Sequence, residues 1–338
     1  MARELNWAVI GTGRVSQQMA RGVSAAVGAT LLGVLSRDVE KALHFAQEYS
    51  VARTYASLDD LTGDGDIDVI YIASPNSLHR DQVLAAAAAG KHVLCEKPMA
   101  NDVDSVLDMI KVCATAGVEL GVGFQYRQHE AHRVIRDLVT SGAIGEVVFA
   151  DAAVHVPPMP VPEWYAQGDV AGGGVVPMAG VHRIDLLRFV LGAEIEEVSA
   201  FVTRRSQRPF EDTVTALLRF DNAAMATVRF ALDVVSAGDG VVVQGRRGWA
   251  NAMRTTSQWW ASDGGELSTC VESVTSSDVY PTMDLYRSQV ENFGQAVNGA
   301  SRFAASALDG LRAVEATQAL FESARSGRSV KVPRAVVP

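Results

Sequence analysis

Trp7-Ala8-Val9-Ile10-Gly11-Thr12-Gly13-Arg14-Val15-Ser16 is the stretch that decides the fold. Four apolar residues run without interruption and stop at Gly11, the pattern of a strand buried on both faces. Arg14 to Val27 then shows helical spacing. A Gly-x-Gly turn between a first strand and a first helix suits a pyrophosphate. Gly11 permits the tight turn and Gly13 lets the backbone approach the phosphates. The helix N-terminus adds free N–H groups and a positive dipole end. Ser16 replaces the third glycine of the usual fingerprint and is small enough to keep helix and strand close. Gly11, Thr12, Gly13, Arg14 and Val15 are therefore expected to bind a dinucleotide.

Outward from this turn, strand and helix alternate. Thr30–Leu35, Val69–Ile72, His92–Leu94 and Glu119–Val122 read as strands. Val39–Tyr49, His79–Ala89 and Asp102–Ala116 read as helices, with Leu43, Ala46 and Tyr49 marking one face of the first. The alternation predicts an α/β domain, a doubly wound parallel sheet of Rossmann type over residues 1–123. After Gly123 the rhythm changes. A helix runs from His129 to Ser141, with His129 and His132 on a solvated face, and a strand from Glu146 to Val156. Four prolines fall within Pro157–Pro162, then come Trp164-Tyr165 and Gly172-Gly173-Gly174, a long loop that is either functional or a plain surface excursion. A helix covers Met178–Leu191. Val198–Arg205, Thr213–Phe220, Ala224–Leu232 and Gly240–Gln244 alternate like strands of an antiparallel sheet with one open face. Helices at Asp284–Val297 and Ala307–Ser326 close the chain. Residues 124–338 thus form an α+β domain on a large open, mostly antiparallel sheet, expected to bind substrate and to oligomerise. Its closing helices are free to pack back on the first domain.

Composition narrows the function. The chain has 338 residues and a formal charge of -9, which argues against nucleic acid and anionic membranes as partners. Its three cysteines are too few for a disulfide framework. No Cys/His spacing suggests a metal, and no apolar run reaches the roughly 18 residues of a membrane span. Met1-Ala2-Arg3-Glu4 leads straight into a strand, so no leader is expected. A cytoplasmic enzyme acting on a small molecule is the default. An exposed apolar sheet face in the second domain would favour a homodimer or homotetramer.

Two further stretches carry chemistry. The second strand ends in Leu35-Ser36-Arg37-Asp38. A hydroxyl at Ser36 and a guanidinium at Arg37 suit a 2′-phosphate, and Asp38 is better placed to cap the next helix, so NADP is favoured with NAD the alternative. Leu94-Cys95-Glu96-Lys97-Pro98 puts an acid and a lysine at a strand's carboxyl end, either a reactive site or a polar loop. Cys95 reads as a small buried apolar residue, and His155 as a strand-end histidine. Trp164 and Tyr165 either stack on a sugar ring or pin their loop. Trp259-Trp260 reads as sheet packing or an oligomer contact.

Together, the Gly-x-Gly turn, Ser74-Pro75-Asn76-Ser77-Leu78-His79 and Glu96-Lys97-Pro98 resemble the Gfo/Idh/MocA oxidoreductases over essentially the whole chain. Gly172-Gly173-Gly174 followed by His182-Arg183-Ile184-Asp185 adds to the likeness. Pro157-Pro158 and the Leu187–Leu191 helix ending are similar to the 1,5-anhydro-D-fructose reductase branch. The resemblance implies that Lys97 contacts the substrate oxygen beside the nicotinamide and that the Lys97–Pro98 peptide is cis. It implies that Glu96 lies against the nicotinamide half. Ser74, Pro75, Asn76 and His79 would flank the cofactor's ribose and pyrophosphate. Gln125, Tyr126 and Arg127 would line the same cleft, with Gln125 toward the cofactor and Tyr126 and Arg127 toward substrate. His182 would be the acid/base and Asp185 a substrate-binding carboxylate. One departure stands out: Met178 occupies the position, four residues before the histidine, where the family commonly has an aspartate. Asp185, three residues after His182 on one helix, could meet it instead. The implied function is an NAD(P)-dependent hydride transfer between nicotinamide and a sugar, polyol or sugar-like carbonyl. The alternatives are a glycosidase using NAD for transient oxidation and a non-catalytic nucleotide sensor.

Overall fold

The computed structural model describes residues 3–205, 208–235, 239–255, 265–281 and 283–337. The chain forms two compact units. One comprises Met1–Gln125, Asp284–Leu311 and Val336–Pro338, the other Tyr126–Met283 and Arg312–Ala335. Trp259-Trp260 lies outside the described residues.

The first unit alternates β1 (Leu5–Ile10), α1 (Arg14–Ala25), β2 (Ala29–Leu35), α2 (Val39–Glu48), β3 (Arg53–Tyr55) and α3 (Leu58–Gly63). It continues with β4 (Val69–Ile72), α4 (His79–Ala88), β5 (His92–Cys95), α5 (Val103–Ala116) and β6 (Leu120–Val122). The strands make one parallel sheet in the order β3-β2-β1-β4-β5-β6, which reverses direction between β1 and β4. Registers align Ile10 with Ile72, Ile72 with Cys95 and Cys95 with Val122. The ladder runs one residue further. Ala73 N–H donates to Ile10 O at 2.9 Å, Glu96 N–H to Ile72 O at 2.9 Å, and Gly123 N–H to Cys95 O at 2.8 Å. Gly11, Ala73, Glu96 and Gly123 therefore stand in one row along the carboxyl edge, where open α/β sheets bind ligands.

On α2 the core face is turned by one residue from that expected. Ala42 and Phe45 are buried and Leu43 is 55% exposed, because the Phe45 ring takes the inward position and packs on Tyr49 at 4.7 Å. The elements β3 and α3 are absent from the sequence reading: at three and six residues they are too short to show a period. The helix Leu285–Val297 belongs to this unit. Phe293 packs edge-on against buried Trp7 at 5.7 Å and against Phe303 at 5.1 Å.

The second unit is built on α6 (Glu130–Thr140), β7 (Val147–Val156), α7 (Gly168–Ala171) and α8 (Val181–Leu191), the last preceded by a π turn at Val176–Gly180. Strands β8 (Ile195–Thr203), β9 (Thr213–Phe220), β10 (Met225–Leu232), β11 (Gly240–Gly245), β12 (Gly248–Met253), β13 (Glu266–Val271), β14 (Val274–Val279) and β15 (Val330–Lys331) follow. They form a nine-stranded sheet, β14-β13-β12-β11-β7-β10-β9-β8-β15, antiparallel except for β7 with β10. On β9, Val214, Ala216, Leu218 and Phe220 join the core while Leu217 is 60% exposed, so the sheet has one covered and one open face. Phe149, Phe201, Met225 and Trp249 are also exposed. The edge hairpin β13–β14 was not foreseen, since β14 is exposed throughout and carries no apolar alternation.

A Cβ at Gly22 of α1 would lie 2.7 Å from Tyr286 Cβ and 2.8 Å from its carbonyl carbon. Alanine there gains at most about 1 kcal/mol of helix propensity, while overpacking against backbone costs about 1–3 kcal/mol. Gly22→Ala should therefore lower the urea midpoint. A raised midpoint would contradict the seating of Leu285–Val297 on α1.

Candidate active site

Gly11 takes the backbone through φ 104°, and a Cβ there would stand 2.6 Å from Ala73 O. Only glycine allows this close approach of the two loops. Gly13, the N-cap of α1, has nothing within 4 Å of where a Cβ would be, and the first turn of α1 contains no carboxylate. Ser16 is fully buried, its Oγ 3.4 Å from the same hypothetical Cβ of Gly11, so a hydroxyl fits where a glycine is usual. An open, uncapped helix start without negative charge fits a dinucleotide's pyrophosphate. At the end of β2, Asp38 accepts Lys41 N–H at 3.1 Å and caps α2. The Lys41 amide and ammonium hold its carboxyl below the usual range. Asp38 N–H donates to Ser36 Oγ at 3.2 Å, and Arg37 is exposed.

The loop after β4 is tied to the loop after β5 by one residue. Buried His79 has Nε2 at 2.9 Å from Ser74 O and Nδ1 at 3.1 Å from Pro98 O. His79 thus acts as a strut between the two loops; burial lowers its pKa, opposed by those carbonyls. Ser74 Oγ donates to Gln82 Oε1 at 2.6 Å, and Asn76 is buried at the start of a short turn. Gln125 is also buried.

At the end of β5 the Lys97–Pro98 peptide is cis, as the resemblance implied. Glu96 is 6% exposed. Its Oε1 accepts a short hydrogen bond from the hydroxyl of fully buried Tyr71, and its Oε2 accepts Lys97 N–H at 3.2 Å. A Cβ on Gly123 would be 2.7 Å from Oε1, so the next strand leaves room for the carboxylate by having no side chain. Burial raises the Glu96 pKa against the pull of Lys97 and Tyr71. Lys97 is partly buried; desolvation lowers its pKa, and Glu96 opposes this.

The second unit begins within the 3₁₀ turn Gln125–Gln128, which carries Tyr126 and Arg127. The Tyr126 ring lies 4.7 Å from that of His182, and the Arg183 guanidinium sits 5.4 Å over it. Arg183 Nε donates to Ala153 O at 2.8 Å. Arg127 grips Asp185 through Nε at 2.8 Å and Nη2 at 2.5 Å, and Arg188 Nη1 adds a third bond at 3.3 Å. Arg127 and Asp185 are only 4% and 1% exposed, so the pair expected to face substrate is an internal ion pair. Met178 lies in the π turn and packs against the apolar core. Trp164 stacks on Tyr165 at 4.0 Å and Tyr165 meets Phe210 at 6.3 Å, so one indole face pins the loop.

His129 and His132 correct the sequence reading: both are buried, 4% and 0% exposed. His129 caps α6 by accepting Ala131 N–H at 3.2 Å, and burial pulls its pKa down to about 4. His132 reaches Tyr126 O at 2.7 Å and Thr255 Oγ1 at 2.7 Å, fixing the backbone that carries Tyr126. His155 pairs with Asp239 at 3.1 Å. Two organising residues escaped the sequence reading. One is Tyr71, which reads as an ordinary strand residue. The other is Glu211, whose carboxylate accepts Gly174 N–H at 2.6 Å and Val176 N–H at 3.2 Å and so seats the glycine triplet before α8.

Removing one partner of a buried pair strands the other charge, at about 3–5 kcal/mol. Asp185→Ala should lower stability by that order in a denaturant titration, and Asp185→Leu combined with Arg127→Met should recover most of the loss. Equal stability of Asp185→Ala and wild type would contradict the buried pair.

Residues 5–124 match the family described as "Oxidoreductase family, NAD-binding Rossmann fold", and residues 132–251 match "GFO/IDH/MocA C-terminal domain". The chain is 30% identical to 1,5-anhydro-D-fructose reductase of Ensifer adhaerens over 96% of its length and 98% of the relative's. It is 28% identical to D-xylose 1-dehydrogenase (NADP(+)) 2 of Haloferax volcanii, covering 88% of this chain and 91% of that one. Among solved structures, it is similar to aldose-aldose oxidoreductase of Caulobacter crescentus complexed with glycerol. The TM-score is 0.88 and the identity 27%, over 97% of this chain and 100% of that one. The chain belongs to the Gfo/Idh/MocA oxidoreductase family.

Proposed function

We propose that the chain is an NADP-dependent reductase or dehydrogenase acting on a sugar, polyol or sugar-like carbonyl. The observation that carries this is the place of Lys97, a partly buried lysine immediately after Glu96 in the row of residues that begins at the Gly11 turn. The named relatives reduce or oxidise sugars and their derivatives, which supports the substrate class.

Bound at the Gly11–Val15 turn, the nicotinamide cofactor supplies or accepts the hydride. The chain's own task is to manage charge and proton at the substrate oxygen. In the reducing direction, negative charge develops on that oxygen, and the Lys97 ammonium stabilises it. A lysine whose pKa is lowered by burial also releases its proton more readily than an exposed one. His182 takes the acid/base role that its motif position implied, with its ring oriented against Tyr126 rather than by an aspartate at 178. Asp185 acts on Arg127, holding its guanidinium in place. Ser36 and Arg37 take the 2′-phosphate of NADP, since Asp38 is occupied in capping α2. The apolar residues on the open sheet face fit association of copies of this chain. Three cysteines outside any disulfide fit a reducing cytoplasm.

Lys97→Met should reduce carbonyl-dependent NADPH oxidation by at least about 10²-fold while NADPH binding, followed by its fluorescence, stays within a few-fold. Unchanged turnover would remove Lys97 from the reaction. Arg37→Ala should raise the KM for NADPH by about tenfold, the value of one charge-assisted hydrogen bond, and leave that for NADH unchanged. Equal effects on both cofactors would sink the NADP assignment.

A further inference from the structure

Burying a carboxylate is costly unless its oxygens find donors. Glu96 is buried directly beside Lys97, and its oxygens are held from two sides: Oε1 by the Tyr71 hydroxyl across β4, Oε2 by the Lys97 amide. Tyr71 is itself completely buried and reaches no solvent. Gly123, directly after β6, leaves room for the carboxylate by having no side chain. We infer that Tyr71 is a positioning residue for Lys97: its hydroxyl keeps Glu96 ionised and fixed, and Glu96 in turn holds the charge and placement of the lysine. This rests on the reading of Lys97 as the group at the reacting oxygen.

The direction of the coupling follows from the geometry. A hydrogen bond donated to a carboxylate favours its charged form, and a nearby negative charge favours an ammonium. The titratable groups facing this cluster are few. Tyr71 lies on β4, Cys95 and Glu96 lead into Lys97, Cys113 comes from α5 beside Cys95, and Tyr286 comes from the helix Leu285–Val297. His79 lies near enough to Lys97 to feel its charge. Of these, Tyr71 is the one that gives Glu96 a side-chain hydrogen bond. Burial drives the Glu96 pKa up, so loss of the phenolic donor lets the carboxyl take a proton more easily. Lys97 then loses its negative neighbour while staying desolvated, and its own titration moves to lower pH.

The test follows the Lys97 Cε resonance by ¹³C NMR through a pH titration of the full-length protein. The chain has only five lysines (Lys41, Lys91, Lys97, Lys111 and Lys331), and Lys97→Met identifies the signal. Tyr71→Phe should move the Lys97 midpoint down by about one pH unit, the scale of one lost hydrogen bond to a charged group. Glu96→Gln should move it down at least as far. Tyr71→Phe added to Glu96→Gln should produce no further shift, because the hydroxyl acts only through the carboxylate. An unshifted midpoint in folded Tyr71→Phe overturns the proposal, as does an undiminished Tyr71→Phe shift in the Glu96→Gln background. If Tyr71→Phe does not fold, Glu96→Gln alone decides, and an unchanged midpoint there overturns it equally. The midpoint is read without substrate, so its failure is distinguishable from a failure of Lys97 in turnover.

Discussion

A carboxylate removed from water at the end of β5 sets the terms for everything around it. Glu96 is left in place because three neighbouring strands accommodate it: Tyr71 on β4 donates, the Lys97 amide donates, and Gly123 after β6 withholds a side chain. Each lies within two residues of the carboxyl end of its strand, so the parallel registers that align Ile72, Cys95 and Val122 also assemble the cradle. The same row begins at Gly11, where the missing Cβ lets the first loop close on Ala73. The sheet thus delivers the Gly-x-Gly turn and a lysine to one edge from backbone geometry alone.

Much of the first unit is legible in the sequence because its signals are local. An apolar run stopped by Gly-x-Gly and an alanine-rich helix ended by Gly90 each announce themselves within a few residues. What escaped is non-local. Tyr71 gains its role only when β5 comes to lie beside β4, and no pattern within Val69–Ile72 distinguishes it from packing. Spacing makes Leu43 mark one face of α2, because hydrophobicity alone does not say that the Phe45 ring wins the core position. His129 and His132 looked solvated for a similar reason. Their partners are an amide at the helix start and a hydroxyl at Thr255, far along the chain.

In the second unit, motif positions survive while their surroundings change. Met178 cannot orient an imidazole, and it stands in a π turn of the kind often found inside helices at functional sites. The His182 ring instead packs against Tyr126, whose carbonyl is anchored by His132. Asp185 is buried with Arg127 and Arg188, which makes this end of α8 a rigid charged knot. Such a knot contributes little net stability but resists the loss of any one member. Glu211 does comparable work for Gly174, and neither arrangement is visible from spacing, since the partners are separated by 58 and 37 residues.

In the proposed reaction a hydride passes directly between the nicotinamide and a sugar-type carbonyl with Lys97 at the reacting oxygen. Reduction of a keto-sugar with NADPH carrying deuterium at the transferable C4 position, analysed by mass spectrometry of the product, tests it most directly. The expected product contains one deuterium, formed in step with cofactor oxidation, and is lost with Lys97→Met. Product without deuterium, or turnover with no net oxidation of cofactor, would contradict it.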